Sequence, residues 1–502
     1  MSAVTTEQEA RRPFIVMIVI IAMGQFIAVM NANVVTTAMP AILTELGATP
    51  VEASWAMIST VLANTVTTPI WARLGDRYNP IMLLRVSIVT YILAALIVGL
   101  SVSPLMLILS RGLQGVALGG AFSLGLIILA NITSPRERGK YFGWISAITL
   151  TGQLTGPFIG GLLVQSVLGW RSCFFVVLPI TVLMLVLLPF ALRIQRERDP
   201  GAPRINWLGA SLLAISIVSI EVWLSFASDA FGFLSWQTAV MLGGGVVVLV
   251  AALVIEWRSP NPVLPLHLLR RRVPLLAAIA VAAVGVVNFP IALFVSMYFQ
   301  LGRGLTPVVS GLLLISTAVG SVAAAFLVGQ LASRTGRLRR FLLPGVIVLT
   351  VGVGALGLTM GPETPLPLLI ALLFVLGVGQ GATMQFILLA AQNDVGLDQV
   401  GAVSGFMTFV QLLFGTALTA LFGAVLNRRL VELQAGGLSE AEAYGTAVPE
   451  IFHYLLIAAV VAVVAIALLP RIQLRRTIDA PAPPPSDDEP AAAGGPAPQT
   501  AA

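Results

Sequence analysis

The chain has 502 residues, 57% of them hydrophobic and 10% charged, with a mean hydropathy of +0.96. A soluble domain carries about 25% charged residues, so the composition excludes a water-soluble globule and indicates an integral membrane protein. The net charge of +6 is dispersed over short loops beside apolar runs, which is a topology signal and argues against nucleic acid as a partner.

In chain order, residues 1–12 form a polar N-terminal tail, and fourteen apolar segments follow. They fall at 13–37, 54–71, 82–102, 105–130, 141–167, 173–192, 207–227, 238–257, 274–299, 308–331, 341–360, 366–390, 400–426 and 451–470. Each is long enough for the ~20 residues of a spanning helix, and in lipid a helix satisfies its own backbone. With the N-terminus cytoplasmic, 23 of the 28 Lys and Arg residues fall on inside loops and tails, and four fall outside (Arg171, Arg303, Arg428 and Arg429). That bias predicts fourteen spans with both termini cytoplasmic. The loop around 391–399 is the exception, with Asp394 and Asp398 and no base. Residues 428–449 read as a short external helix or excursion. The tail 471–502, rich in Pro and Ala near its end, is expected to be disordered.

The second segment ends in PIWARLGDRYNP (69–80) and the tenth in VGQLASRTGRLRR (328–340), with Leu74 and Leu331 257 residues apart. The repeat divides the chain into a six-helix unit at 13–192, two inserted helices with their linkers at 193–272, and a second six-helix unit at 273–470. Repeats of this kind build transporters whose substrate site lies between the halves at mid-membrane.

Chemistry-bearing residues are few. Arg111 stands in LILSRGLQGVALGG (107–120). A guanidinium at membrane depth costs about 3 kcal/mol or more, so it needs partners or a wet cavity. Gln114 shares its helix face. The pair either senses protonation or binds polar substrate, or Arg111 pins two helices through backbone carbonyls of the first. In GQLTGPFIGG (152–161), Gly152, Gly156, Gly160 and Gly161 allow close helix approach and Pro157 bends the helix. This is either a conformational pivot or ordinary close packing. Arg73, Asp76 and Arg77, with Arg337 in the second copy, form either a cytoplasmic latch or a plain topogenic cluster. Glu221 is the sole mid-helix acid. It is a possible proton carrier, or it is paired with a helix end. Uncharged polar residues in the spans mark a cavity: Gln25, Asn31, Asn33, Asn64, Gln114, Gln153, Asn288, Gln380, Gln385 and Gln411. About half are expected to face it, the rest serving as interhelical glue. Met17, Met30, Met384 and Met407 make that cavity apolar and adaptable. Cys173 excludes an internal disulfide and reads as a packing residue. His267 and His453 show no metal cluster, and no cofactor is expected.

In these motifs the chain resembles the major facilitator superfamily, and within it the fourteen-span drug:proton antiporters of the EmrB/QacA type, over residues 13–470. SRGLQG resembles the fourth-helix R-x-x-Q-G. GQLTGPFIGG resembles the fifth-helix antiporter signature, continued by Gly169, Trp170, Arg171, Phe174 and Pro179. ARLGDR resembles the loop motif after helix two, and YFQ (298–300) and AQND (391–394) sit where that branch has similar residues. The resemblance implies an all-α membrane protein of two pseudo-symmetric six-helix bundles plus an inserted pair. It implies alternating access about the fifth-helix pivot, and a latch at Asp76 that locks one conformation. The loop motif departs from the pattern at Ala72 and at Asn79–Ile81, and Ser333 replaces the acid in the second copy. Where the branch carries an aspartate in helix one, MNANVVTTAMP (30–40) has Asn31, which cannot titrate. The expected function is export of hydrophobic or amphipathic small molecules from the cell membrane by a monomer. The partners are a small lipophilic substrate, lipid and, where coupling exists, protons. An uncoupled facilitator, importer or lipid transporter of the same fold is one alternative, and a non-transporting receptor or scaffold another. No G-x-S-x-G elbow, metal pair or phosphate loop suggests an enzyme.

Overall fold

The computed structural model describes residues 2–191, 206–226, 235–260, 262–361 and 363–476. These residues form fourteen long helical segments, α1–α14, and two short 3-10 turns at Leu266–Arg270 and Leu397–Gln399. The first six are α1 (Ser2–Leu46), α2 (Pro50–Arg77), α3 (Pro80–Gly99), α4 (Pro104–Ile132), α5 (Pro135–Val164) and α6 (Gly169–Phe190). An inserted pair follows, α7 (Trp207–Phe226) and α8 (Trp236–Arg258). The last six are α9 (Arg272–Gly302), α10 (Pro307–Thr335), α11 (Arg339–Thr359), α12 (Leu366–Asn393), α13 (Val400–Ala435) and α14 (Glu440–Leu468).

Helix starts are written plainly in the sequence. Thr49, Asn79, Ser103, Ser134 and Thr306 each accept a backbone N–H at an N-cap, and a proline follows each of them. The cap fills an orphan donor, and proline loses nothing at the first helical position. Glu52 and Glu442 complete capping boxes with Thr49 and Ser439. Helix α10 stops at Gly336, whose φ of +71° suits glycine.

Two sequence boundaries move. Helix α1 begins at Ser2, so helical backbone runs through the tail assigned to 1–12. The expected excursion at 428–449 is instead the end of α13, a short turn and the start of α14.

Twelve of these segments are long and apolar enough to cross a bilayer. The expected fourteen therefore stand at twelve by length and composition. The other two are α2, which carries Thr60, Asn64, Thr65, Thr67 and Thr68, and α5, part of which lies outside the described residues.

Packing repeats with the sequence. Helix α2 packs on α4, α1 on α5, and α3 on α4 and α6; in the same way α10 packs on α12, α9 on α13, and α11 on α12 and α14. The halves meet where α2 touches α13 and α5 touches α10, contacts exchanged by the same symmetry. The pair α7–α8 leans on α13 and α2 through α7. Large apolar side chains such as Leu105, Val247 and Ile457 remain exposed on the outside, where lipid is the natural solvent.

Candidate functional site

Arg111 gathers a buried polar cluster within the first half. Its Nη1 donates to Asn31 Oδ1 at 2.8 Å and to Gln114 Oε1 at 2.9 Å, and its Nε donates to Ala56 O at 3.3 Å. Thr60 Oγ1 donates to the Arg111 carbonyl at 3.0 Å. Arg111 is 4% exposed, Asn31 1% and Gln114 0%. Of the two readings of Arg111, the pin is thus only partly realised: one backbone carbonyl serves it, and that carbonyl belongs to α2 rather than α1. The other partners are side chains.

Further along α4, Phe122 faces the second half. With Val281 of α9, Met384, Gln385 and Leu388 of α12, and Met407, Thr408 and Gln411 of α13, it lines a small pocket between the halves. Asn288 Nδ2 sits 3.8 Å from Met384 Sδ beside it. The free space is about 10 Å³, room for one water, against the ~300–1,000 Å³ of a drug-sized site. The halves are closed around it in this conformation.

Closure occurs at the arginine-rich end of the bundle and is made by glycine. A Cβ on Gly139 of α5 would stand 3.1 Å from Gly329 O, one on Gly143 would stand 2.8 Å from Phe326 Cα, and one on Gly329 would overlap Gly139 O. Across the symmetric contact, a Cβ on Gly405 would overlap Ala72, and one on Gly401 would overlap the Asp76 carboxylate. Asp76 therefore lies against the first turn of α13, where exposed N–H groups and the helix dipole favour an anion. Arg73 Nη1 stands 3.9 Å from Asp76 Oδ2.

Buried polar groups bridge the same end. Arg138 Nη1 donates to Gln392 Oε1, its Nη2 holds Ala130 O at 3.1 Å and Thr133 O at 3.2 Å, and Gln392 Nε2 donates to Ser404 Oγ at 2.7 Å. Part of the tail assigned to disorder is fastened here. Leu474 N donates to Gly336 O at 2.8 Å, Arg475 N to Asn393 Oδ1 at 3.0 Å, and Arg136 N to Arg475 O at 3.2 Å. Arg475 also caps α12 through the Asn393 and Val395 carbonyls, and Arg136 reaches the carbonyls of Ser333 and Arg334 in the opposite half. Burial pushes the Arg475 guanidinium below its usual range, and Asp394 pulls it back up.

Residues 21–420 match the model of the Major Facilitator Superfamily. The chain belongs to that superfamily. It is 30% identical over 440 residues to an uncharacterised MFS-type transporter of Mycobacterium tuberculosis, covering 86% of this chain and 62% of that protein. It therefore spans less than two thirds of the length of that relative. The multidrug transporter MdtP of Bacillus subtilis is 24% identical over 422 residues, covering 84% of this chain and 76% of its own length. The efflux pump dotC of Dothistroma septosporum is 26% identical over 432 residues, covering 85% and 73%. Among solved structures, the proton:xylose symporter XylE superimposes with a TM-score of 0.61 at 12% identity, covering 88% of this chain and 94% of that one. That likeness shows the facilitator fold.

On this facilitator scaffold the sequence-selected residues sort into separate places. Asn31, Arg111 and Gln114 converge, and Gln385, Gln411 and Asn288 converge at the pocket. Asn64 instead accepts from Thr68 Oγ1 at 3.2 Å within its own helix. The side chains of Asn33, Gln153 and Pro157 lie outside the described residues. On the proposed pivot, a Cβ at Gly152 would stand 3.0 Å from Phe26 O of α1, whereas one at Gly161 would meet nothing within 4 Å. Gly161 is therefore not a close-approach residue; Gly156 and Gly160 are buried. Arg337 does not join Asp76. It pairs through its backbone with Gln473 of the tail. Arg77 lies over the Tyr78 ring, 5.5 Å from its centroid. Glu221 Oε1 accepts from Thr416 Oγ1 of α13 at 2.7 Å, so it sits between the inserted pair and the second half, away from the central pocket.

The bridge from Arg138 to Gln392 and the fastening by Arg136 and Arg475 were not selected from sequence. Their signal was weak. The arginines read as topogenic, and only the AQND string marked Gln392 and Asn393.

Proposed function

We propose that this chain is a secondary transporter that exports hydrophobic or amphipathic small molecules by alternating access, as a multidrug-type efflux protein of the fourteen-span EmrB/QacA branch. One observation carries the reading: pseudo-symmetric halves meet over an apolar pocket rich in Met and Gln, through backbone-thin glycine contacts that can part without unpacking side chains. The names of the relatives as efflux pump and multidrug transporter favour export. Helices α2 and α5 complete the spans, because each is wedged between neighbours and so needs less apolar surface than a lipid-facing helix.

The Lys/Arg bias supports a cytoplasmic position for the closed end and both termini in a cell membrane. Asp76 against α13 is the latch of this state, and α5 pivots on α1 at Gly152. The packing of α7 on α8 supports setting the pair apart within 193–272.

Proton coupling through α1 is not part of the proposal, since Asn31 does not titrate. That residue favours an uncoupled facilitator as the second reading. Proteoliposomes loaded with Nile red or the fluorescent 1-pyrenebutyrate test the first. Efflux above empty liposomes that is lost when Asp76 and Arg73 are both replaced by alanine is expected, and no efflux of either dye refutes it. A pH gradient that leaves the rate unchanged assigns the facilitator reading.

A further inference from the structure

The Arg111 cluster holds a formal positive charge whose partners are all neutral. Among the described residues no carboxylate bonds to it. Glu52, one turn from Ala56 on α2, is engaged with Thr49. The guanidinium also fixes how its neighbours point. Both amide oxygens, Asn31 Oδ1 and Gln114 Oε1, must face Arg111, because their NH₂ groups would repel it. Both amide NH₂ groups are therefore turned away, and Asn31 Nδ2 and Gln114 Nε2 are buried without an acceptor among the described residues. The Tyr91 hydroxyl of α3, which packs on α4, is 4% exposed and likewise without a partner among the described residues. Three unmet donor groups around an uncompensated cation are costly in a low-dielectric interior. An anion rich in acceptors is the kind of group that neutralises such a cation and accepts from such donors.

We propose that Arg111, Asn31, Gln114 and Tyr91 form the subsite for the acid group of the transported molecule, so that the substrate is a lipophilic organic anion. This rests on the export reading and names its substrate class. The geometry gives the rest of the molecule. Phe122 follows Arg111 on the same helix by eleven residues, about 16 Å of rise. A molecule with its acid on Arg111 lays its apolar body toward Phe122, Met384 and Met407. A lipophilic cation meets Arg111 as a like charge and finds no carboxylate along this route among the described residues.

The test uses the full chain in nanodiscs with 1-pyrenebutyrate, its methyl ester and tetraphenylphosphonium, each corrected for protein-free nanodiscs. Wild type is expected to bind the acid at least tenfold more tightly than the ester and to bind the cation weakly. Asn31→Asp places a carboxylate where Oδ1 lies 2.8 Å from the guanidinium, so the counter-ion becomes internal. Affinity for the acid should fall at least tenfold, the ester should be unaffected, and the melting temperature should hold or rise. Arg111→Lys should keep part of the preference for the acid, whereas Arg111→Gln should abolish it. Acid affinity within twofold of wild type in a folded Asn31→Asp, or tighter binding of tetraphenylphosphonium than of pyrenebutyrate by wild type, overturns the proposal. So does Arg111-dependent stabilisation by chloride with no discrimination between acid and ester, which would make the site one for inorganic anions. Nile red efflux separates the two claims: efflux without acid preference removes only the subsite, and absence of flux for every probe removes export.

Discussion

Gly329→Ala should pry open the arginine-rich end. The added Cβ would overlap Gly139 O and come within 2.9 Å of Gly139 C, both of them backbone atoms that no rotamer change can move aside. Overpacking of this kind costs about 1–3 kcal/mol. Here the cost falls only on the conformation in which α5 and α10 touch, so the closed state should lose about 5- to 150-fold in population relative to the state with that end open. Nitroxide labels at Lys140→Cys and Arg334→Cys, both exposed and on opposite halves, report the separation by electron–electron resonance. The one native thiol, Cys173, is buried, so background labelling is small. Gly329→Ala should move the distance distribution to longer values, and Gly161→Ala, with nothing within 4 Å of its Cβ, should leave it in place. An unchanged distribution in Gly329→Ala would refute the claim that glycine contacts set this closure.

Asp76→Asn keeps the shape but removes the charge at the first turn of α13. A helix-end charge is worth ~0.3–2 kcal/mol, so the same label pair should show partial opening, smaller than that of Gly329→Ala. Arg475→Ala strips the cap from the Asn393 and Val395 carbonyls and should cost ~1–3 kcal/mol, read as faster trypsin cleavage at the arginine-rich loops with little change at the opposite face. At that opposite face, the Arg171 hydrogen bond holds the Glu45 carboxyl below its ordinary 4.5, with Trp170 Nε1 donating to it at 2.8 Å. A depressed carboxyl contributes stability that is present above about pH 4.5 and is lost as pH falls through the folded value. Melting temperature should therefore drop in that window in wild type and stay flatter in Glu45→Gln. Glu221→Gln retains an oxygen for Thr416, and because it lies off the central pocket, dye efflux at neutral pH should match wild type. A large loss of flux would move the inserted pair into the transport path.

Much of the fold was legible because membrane helices are written in runs and punctuation. The apolar segments and the paired loop motifs located the elements and the repeat, and packing follows that repeat helix for helix. Helix α2 was read as a span and is the one whose Thr/Asn run lowers its hydropathy, since a helix sandwiched by protein is released from the hydropathy that lipid demands. Within the site, Arg111 and Gln114 were legible from their helical spacing, and Asn31 from its place in the first segment. The closing surface was not. Gly139, Gly329 and Gly405 carry no side-chain chemistry, and their meaning lies in which backbone they face. Arg337 was grouped with Asp76 by motif, yet symmetry places equivalent loops on different halves, and its partner is the tail.

The segment 471–476 is made after all fourteen described helices, yet it ties Gly336, Asn393 and Arg136 together. A growing chain therefore inserts both bundles before it owns the clasp between them. A polypeptide released before residue 475 keeps the glycine contacts and the Arg138–Gln392 bridge between its halves but lacks the tail's hold on Arg136.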